Sequence, residues 1–131
     1  MEYQVLYIKV IGGFPGKECI LVGLKSGNVF EIFIDSSFPV QLAKLPGAIR
    51  NVDLSMYRQK LAVIDENMTL FVYNVKTGDL IFQEPNANSV AWNSSYEDML
   101  AYSGGGNLSI KVSNFPPQKQ RLQVREIKSN Q

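Results

Sequence analysis

The sequence predicts an all-β fold built from short strands that recur in four-stranded units. Branched apolar and aromatic residues dominate runs of five or six positions, as at Val29–Ile34, Leu70–Val75 and Leu108–Val112. Turn-forming residues separate such runs, for example at Lys25–Asn28 and Lys76–Asp79. No stretch of ten or more residues places apolar side chains at the spacing of an amphipathic helix. Helix is therefore expected to be at most a minority of the structure.

The strand pattern repeats along the chain. Phe33, Tyr73 and Lys111 occupy corresponding positions of the third strand in each unit and lie 40 and 38 residues apart. This period is close to the roughly 40–45 residues of a WD-repeat blade. Tyr73–Asn74 stands where such a repeat has its Trp-Asp dipeptide, so the repeats are degenerate. We therefore predict about three degenerate WD40-type four-stranded blades of an incomplete β-propeller. The predicted blades lie at residues 4–45, 46–85 and 86–123.

The outermost strands and the C-terminal residues define the limits of the predicted domain. Fourth strands are predicted at Val40–Lys44, Leu80–Glu84 and Lys119–Gln123. The partial propeller then spans residues 1–123, and a C-terminal tail at residues 124–131 is expected to be disordered. A β-sandwich with a strand every 8–12 residues is the alternative fold. Three copies at similar spacing favour the propeller.

Three blades are too few to form a closed ring. Propellers typically close with 4–8 blades, and each blade buries its apolar faces only against its neighbours. The two outermost blades should therefore leave apolar faces open, and such faces mark interaction surfaces. The chain is expected to be a piece of a larger propeller or to need a partner that completes it.

The composition excludes several classes of catalytic site. The 131 residues include no histidine and one cysteine, and the net charge is +1. No Ser-His-Asp triad, histidine metal ligand or internal disulfide can form. A charge near zero gives no general reason to bind nucleic acid, and no apolar run approaches the length that spans a bilayer. We predict no enzyme activity, no catalytic, cofactor-binding or metal-binding residues, no cofactor, no nucleic-acid partner and no membrane insertion.

Several local features could suggest chemistry, and each also has a structural interpretation. The Gly104–Gly106 run precedes another strand pattern, which favours a hairpin turn over a phosphate-binding loop. The acidic pairs Asp65–Glu66 and Glu97–Asp98 lie in predicted turns, and solvated loop charges are expected. Cys19 has no histidine to activate it and is expected to be a buried apolar residue. Trp92 lacks neighbouring basic residues and is expected to anchor its strand in the core.

One segment of the sequence is unusually distinctive. This segment is EPNANSVAWN at Glu84–Asn93. Four further segments accompany it: YIKVIGG at Tyr7–Gly13, GLKSGNVFEIFID at Gly23–Asp35, KLAVIDEN at Lys60–Asn67 and EDMLAYSGGG at Glu97–Gly106. Together they resemble the intraflagellar transport protein 122 family, the WD-repeat subunits of intraflagellar transport complex A. The resemblance runs in order from about Tyr7 to Leu122.

The resemblance implies a fold, partners and a location. Members of this family have two N-terminal propellers followed by a helical-repeat solenoid, and this chain would be part of the second propeller. The family is non-enzymatic, and its complex serves retrograde ciliary transport and cilium assembly. The implied partners are other complex A subunits, and self-association through open blade edges is a further expectation. The implied locations are the cilium, the cytoplasm and the ciliary basal body.

The sequence also departs from the family pattern. The first propeller and the solenoid are missing, so a truncated product, an alternative product or a fragment is expected. Loops such as Phe14–Lys17 and Pro85–Ser89 are the expected docking segments. The alternative function is a stand-alone small β-domain that binds a ligand or acts as an enzyme, or a truncated product without function.

Overall fold

The computed structural model describes residues 4–12, 16, 18–36 and 38–121. Within these ranges the chain forms twelve strands and no helix. The strands are β1 (Val5–Ile11), β2 (Cys19–Leu24), β3 (Asn28–Phe33), β4 (Val40–Lys44), β5 (Ile49–Leu54), β6 (Lys60–Asp65), β7 (Leu70–Asn74), β8 (Leu80–Glu84), β9 (Ser89–Trp92), β10 (Met99–Gly104), β11 (Asn107–Val112) and β12 (Gln118–Arg121). They form three four-stranded antiparallel sheets in chain order: sheet 1 (β1–β4), sheet 2 (β5–β8) and sheet 3 (β9–β12). This all-β architecture of consecutive four-stranded units confirms the predicted fold class.

Tight turns connect several pairs of neighbouring strands, and glycine makes two of these turns possible. Gly27, between β2 and β3, has a φ of +94°, and a Cβ there would lie 2.0 Å from the carbonyl oxygen of Leu45. Gly105 and Gly106 have φ values of +59° and +79° in the turn between β10 and β11. The glycine run is therefore the hairpin turn that the sequence predicts.

Side chains alternate between the two faces of each sheet, so the strand register defines two surfaces per sheet. The first surface, here the leading face, is defined by two residues from each of the first two strands. Its members are Ile8, Val10, Ile20 and Val22 in sheet 1, Val52, Leu54, Leu61 and Val63 in sheet 2, and Val90, Trp92, Leu100 and Tyr102 in sheet 3.

The opposite surface, here the trailing face, is defined by two residues from each of the second and third strands. Its members are Leu21, Gly23, Val29 and Glu31 in sheet 1, Ala62, Ile64, Leu70 and Val72 in sheet 2, and Ala101, Ser103, Leu108 and Ile110 in sheet 3.

Among the described residues, the hydrophobic core consists of two clusters, one between each pair of consecutive sheets. The first joins the trailing face of sheet 1 to the leading face of sheet 2, and its buried members are Leu21, Val29, Leu45, Ile49, Val52, Leu54, Leu61 and Val63. The second joins the trailing face of sheet 2 to the leading face of sheet 3. Its buried members are Ala62, Ile64, Leu70, Val72, Ala87, Val90, Leu100 and Tyr102. The sheets thus stack as neighbouring blades do.

The two remaining faces, at the ends of the stack, carry exposed apolar side chains. On the leading face of sheet 1, Ile8 and Val10 are 61% and 69% exposed. On the trailing face of sheet 3, Ile110 is 39% exposed, as is Val112 on the same strand. These exposed side chains confirm the expectation of open apolar faces.

The strand ends agree closely with those expected from the sequence. Two fourth strands form at Val40–Lys44 and Leu80–Glu84, as predicted. The third covers Gln118–Arg121, one residue earlier than predicted, and residues 122–123 lie outside the described part. The proposed tail at residues 124–131 also lies outside it, and the blade and domain limits stay predictions. Among the described residues, no helix is long and apolar enough to cross a membrane.

Candidate interaction site

The central polar feature of the molecule is a buried carboxylate that links all three sheets. Asp53 lies on β5 and is 4% exposed. Its Oδ1 lies 2.8 Å from Nζ of Lys9 on β1 and accepts a 2.9 Å hydrogen bond from the amide of Leu54. Its Oδ2 accepts a 2.7 Å hydrogen bond from the amide of Trp92 on β9. The indole Nε1 of Trp92 donates to the carbonyl oxygen of Asp53 at 3.2 Å. Asp53, Lys9 and Trp92 form the Asp53 node, in which the amide of Leu54 is a further donor.

The node explains how a charged group can lie among apolar strands. A buried carboxylate is costly unless charged or polar donors surround it, and Asp53 has an ammonium group and two amides. The Lys9 side chain is 35% exposed, so it retains solvent on one side while its ammonium contacts Asp53. The node therefore joins the first strands of consecutive sheets with directional contacts.

A second polar contact joins the loop between β9 and β10 to the loop between β5 and β6. Glu97 Oε1 accepts a 2.5 Å hydrogen bond from the hydroxyl of Ser55, and Oε2 accepts one from the amide of Tyr57. Asp98 forms an ion pair with Lys60. We call this contact the loop clamp. Glu97 and Asp98 lie in a turn, as predicted, but the expectation that they would be free solvated charges is wrong: the loop between β5 and β6 supplies donors to Glu97, and Lys60 at the start of β6 pairs with Asp98.

The other acidic pair also differs from expectation at its first residue. Asp65 is 4% exposed, and its Oδ1 accepts hydrogen bonds from the amides of Asn67 at 3.0 Å and Thr69 at 3.1 Å. The carboxylate closes the turn between β6 and β7, because it satisfies amides that have no strand partner. Asp65 is therefore a buried residue at the end of β6 that holds the following turn, whereas Glu66 is exposed as predicted.

Cys19 lies at the start of β2 and is fully buried, as predicted. Its thiol donates to Oε2 of Glu31 at 3.4 Å. Burial, together with the hydrogen bond and the negative charge of Glu31, raises the pKa of the thiol to about 11, and Arg58 opposes this rise. The thiol is therefore protonated at neutral pH, which makes it a poor nucleophile.

The outer parts of sheets 2 and 3 are joined by contacts at the protein surface. Nζ of Lys119 on β12 lies 2.8 Å from Oε1 of Glu84 on β8. Nζ of Lys111 lies 5.0 Å from the centre of the Phe82 ring, a cation–π contact. A polar cleft of about 270 Å³ lies beside the Lys119–Glu84 pair, and Tyr102 lines it. Burial is the main cause that raises the pKa of Tyr102.

Comparison with known proteins identifies the family. The family model described as the IFT122 second beta-propeller matches residues 1–128. The chain belongs to the IFT122 family. The resemblance inferred from the sequence segments is thereby confirmed.

Relatives of this IFT122-family chain occur in several vertebrates. It is 57% identical to the intraflagellar transport protein 122 homolog of Homo sapiens. It is 56% identical to the homologs of Xenopus tropicalis and Mus musculus. Each match covers 123 residues, which are 94% of this chain and 10% of the relative. The chain thus spans about a tenth of the length of the curated relatives it matches.

The Pro85–Ser89 loop of this IFT122-family chain is exposed but firmly anchored. The amide of Ala87, a buried residue, donates to the carbonyl oxygen of Met68 at 2.7 Å, and that of Asn88 donates to Ser103 at 2.6 Å. Pro85, Asn86, Asn88 and Ser89 remain exposed on either side of this anchor. The other expected docking loop, Phe14–Lys17, lies outside the described residues apart from Gly16.

Sequence reasoning found Trp92 as an anchor of its strand but missed the residues that it contacts. Trp92 packs against the second apolar cluster, which agrees with its expected role. Asp53 and Lys9 were not singled out, although each interrupts an apolar run in a first strand. Within the described residues, no group of three or more Cys, Asp or Glu side chains could hold a metal ion. The absence of catalytic, cofactor-binding and metal-binding residues stays a prediction.

Proposed function

We propose that this chain is a non-catalytic scaffold and protein-interaction module that belongs to intraflagellar transport complex A. The family match over residues 1–128 carries the proposal, and the three stacked sheets give it a physical basis. Its partners are other complex A subunits. Its role is in retrograde ciliary transport and cilium assembly, and its locations are the cilium, the cytoplasm and the ciliary basal body.

The contacts of the acidic side chains support a structural role. Asp53, Asp65 and Glu97 each accept hydrogen bonds from backbone amides of the fold itself. A general acid or base needs a carboxylate that can reach a substrate, and these carboxylates are held by their neighbours. The pKa of about 11 for Cys19 likewise opposes nucleophilic chemistry at neutral pH.

Rigid sheets with anchored loops are suited to protein recognition. Loops that carry binding residues are most selective when a fixed scaffold holds them in place. The Pro85–Ser89 loop meets this description, because the buried Ala87 holds its middle while Asn86 and Asn88 stay exposed. We assign docking of another subunit to this loop, and self-association to the open blade edges.

Co-purification from ciliated cells tests the assembly role. The tagged 131-residue chain should enrich complex A subunits over an unrelated propeller carrying the same tag. No enrichment over that propeller would overturn the proposal for this chain.

A pair of loop variants tests the docking segment. Asn88→Arg adds bulk and charge to the Pro85–Ser89 loop and should reduce subunit recovery several-fold. Thr77→Arg places the same side chain in the exposed turn between β7 and β8 and should leave recovery unchanged. Equal recovery of subunits with both variants would show that the loop is not part of the binding site. The assembly role would not be affected by that result.

A further inference from the structure

The polar cleft of about 270 Å³ lies between the outer parts of sheets 2 and 3. One wall is the leading face of sheet 3, where Tyr102, Ser109 and Lys119 lie side by side on neighbouring strands. The other wall is the trailing face of sheet 2, where Glu84 lies opposite Leu70. Both walls belong to consecutive sheets, so the cleft does not depend on what packs against either end of the stack.

Tyr102 brings a buried hydroxyl group to this cleft. Its side chain is 4% exposed, and no other group in the described part of the chain forms a hydrogen bond with its oxygen. Ser109 and Glu84 influence the pKa of Tyr102, so both lie near the hydroxyl, yet neither meets it with the distance and angle of a hydrogen bond. Because buried polar groups are nearly always paired, such a hydroxyl beside a cleft indicates a position for a ligand atom.

The two charges that line the cleft cancel each other. Nζ of Lys119 lies 2.8 Å from Oε1 of Glu84, and the hydrogen bond and charge of Glu84 raise the pKa of Lys119. An incoming anion would be repelled by Glu84, and an incoming cation would be repelled by Lys119. The cleft therefore favours an uncharged polar ligand.

Two asparagine side chains complete the polar lining. Asn86 belongs to the exposed Pro85–Ser89 loop, and Asn107 lies at the start of β11, opposite Gly104. The carboxamide of asparagine offers both a carbonyl oxygen and an NH₂ group. It therefore pairs well with a ligand that also carries a donor and an acceptor.

The cleft is preformed, because the loop at its mouth is fixed to the glycine turn below it. A Cβ at Gly104 would overlap the carbonyl oxygen of Asn86, so the loop packs directly on the backbone of β10. The amide of Asn88 donates to the carbonyl oxygen of Ser103 at 2.6 Å. A site that is held in this way needs little rearrangement to bind, which favours affinity.

We propose that this cleft binds the carboxamide side chain of an asparagine or glutamine on a docking subunit. A carboxamide is the uncharged side-chain group with the most hydrogen-bonding positions, so it can engage two groups of the cleft together. Its carbonyl oxygen accepts from the Tyr102 hydroxyl, and its NH₂ group donates to the side-chain oxygen of Asn107. The inference rests on the docking proposed for the Pro85–Ser89 loop, because Pro85 and Asn86 also line the cleft. It names the chemical group that is recognised there.

Four capped amino acids test the chemistry of the cleft on the purified, ¹⁵N-labelled 131-residue chain. The N-acetyl methylamides of glutamine, glutamate, lysine and alanine share the same caps, so they differ only in the side chain. In NMR titrations the glutamine probe should shift the amides of Gly104, Gly105 and Ser109. It should bind about tenfold more tightly than the other three, because only its side chain is an uncharged carboxamide.

The outcomes of these titrations are distinct. No shift with any probe, equal shifts with the alanine probe, or tighter binding of a charged probe would overturn the carboxamide site. None of these results would alter the co-purification experiment, which tests the assembly role separately.

Tyr102→Phe separates binding from stability, because it removes only the hydroxyl group. Within the described ranges that hydroxyl has no partner, so its loss should not lower the melting temperature, whereas the affinity for the glutamine probe should fall about tenfold. The matched control is Tyr96→Phe, since Tyr96 is 66% exposed in the loop between β9 and β10, and it should leave the affinity unchanged. Unchanged affinity in Tyr102→Phe would overturn the proposal. Asn107→Ala should weaken binding several-fold, and it replaces Tyr102→Phe if the latter unfolds.

Discussion

The two contacts between sheets solve the same packing problem in different ways. Between sheets 1 and 2, every buried side chain of the cluster is leucine, isoleucine or valine. Between sheets 2 and 3, the buried cluster includes two alanines and a tyrosine. The second contact has the loop clamp and the Lys119–Glu84 pair as polar supports. A smaller apolar core is thus accompanied by more directional contacts across the same kind of interface.

The first contact also depends on a close approach that a side chain would prevent. A Cβ at Gly23 would lie 2.4 Å from Cγ2 of Ile49, so the missing side chain makes room for the isoleucine. Ile49 is 1% exposed and belongs to the first cluster. The comparison teaches that the first contact combines a larger apolar core with the Lys9–Asp53 ion pair, whereas the second combines a smaller apolar core with several polar contacts between loops and strands.

Leu61→Ala should have the largest effect, because it removes apolar volume from the first contact. Leu61 is fully buried on β6 at the centre of the stack. The free energy of unfolding should fall by about 2–5 kcal/mol, as for other buried leucines. Urea denaturation followed by circular dichroism measures the change. Leu80→Ala is the control, since Leu80 is 47% exposed, and a loss as large there would contradict this account of the core.

Asp53→Ala should come next, because it disconnects both contacts at once. The substitution leaves the Lys9 ammonium and the Trp92 amide without their acceptor. A buried donor without a partner costs about 1–3 kcal/mol, and urea denaturation should show a loss in this range. Asp79→Ala removes an exposed carboxylate from a turn and should change stability little. Equal stability of the two variants would show that the Asp53 node does not connect the sheets.

The strands and the burial of their apolar side chains were predictable from the sequence, for a physical reason. Strand formation and burial leave local signals, because the side chains alternate along a few consecutive residues. The sequence therefore located strands such as Val40–Lys44 and the buried Cys19 without any knowledge of their neighbours. It also indicated the repeat from which the stacking of sheets follows.

The polar contacts between the sheets could not be predicted in the same way. Ser55 and Glu97 are 42 residues apart, and nothing in either segment indicates the other. Their pairing follows from the stacking of two sheets and not from the composition of either loop. The Asp53 node did leave a signal, because a charged residue at matching positions of two first strands suggests a pair between blades.

Glu97→Ala tests the loop clamp and should have a smaller, local effect. It removes the acceptor of the Ser55 hydroxyl and the Tyr57 amide, so that amide should exchange with solvent faster. A hydrogen bond of about 0.5–1.5 kcal/mol corresponds to an increase in the exchange rate of roughly 2- to 13-fold, measurable by hydrogen exchange. Glu97→Gln keeps an acceptor oxygen and should restore part of the protection. An unchanged exchange rate of the Tyr57 amide would show that the loop clamp does not stabilise the second contact.

A pH effect should come from the Cys19 thiol, which lies on the same face of sheet 1 as Leu21 of the first cluster. The pKa of the Cys19 thiol is about 11 in the folded chain, against 9.0 for an ordinary thiol. The unfolded chain therefore loses this proton first as the pH rises, so the thiol favours the folded state fully below pH 9 and ceases to do so near pH 11. The free energy of unfolding should fall more steeply with pH in the wild type than in Cys19→Ala. Burial also raises the pKa values of Tyr73 and Tyr102, but both tyrosines are present in each protein and their contributions cancel in the difference. Parallel pH profiles would show that the thiol is solvated and that the first contact is less tightly closed around Cys19 than its burial indicates.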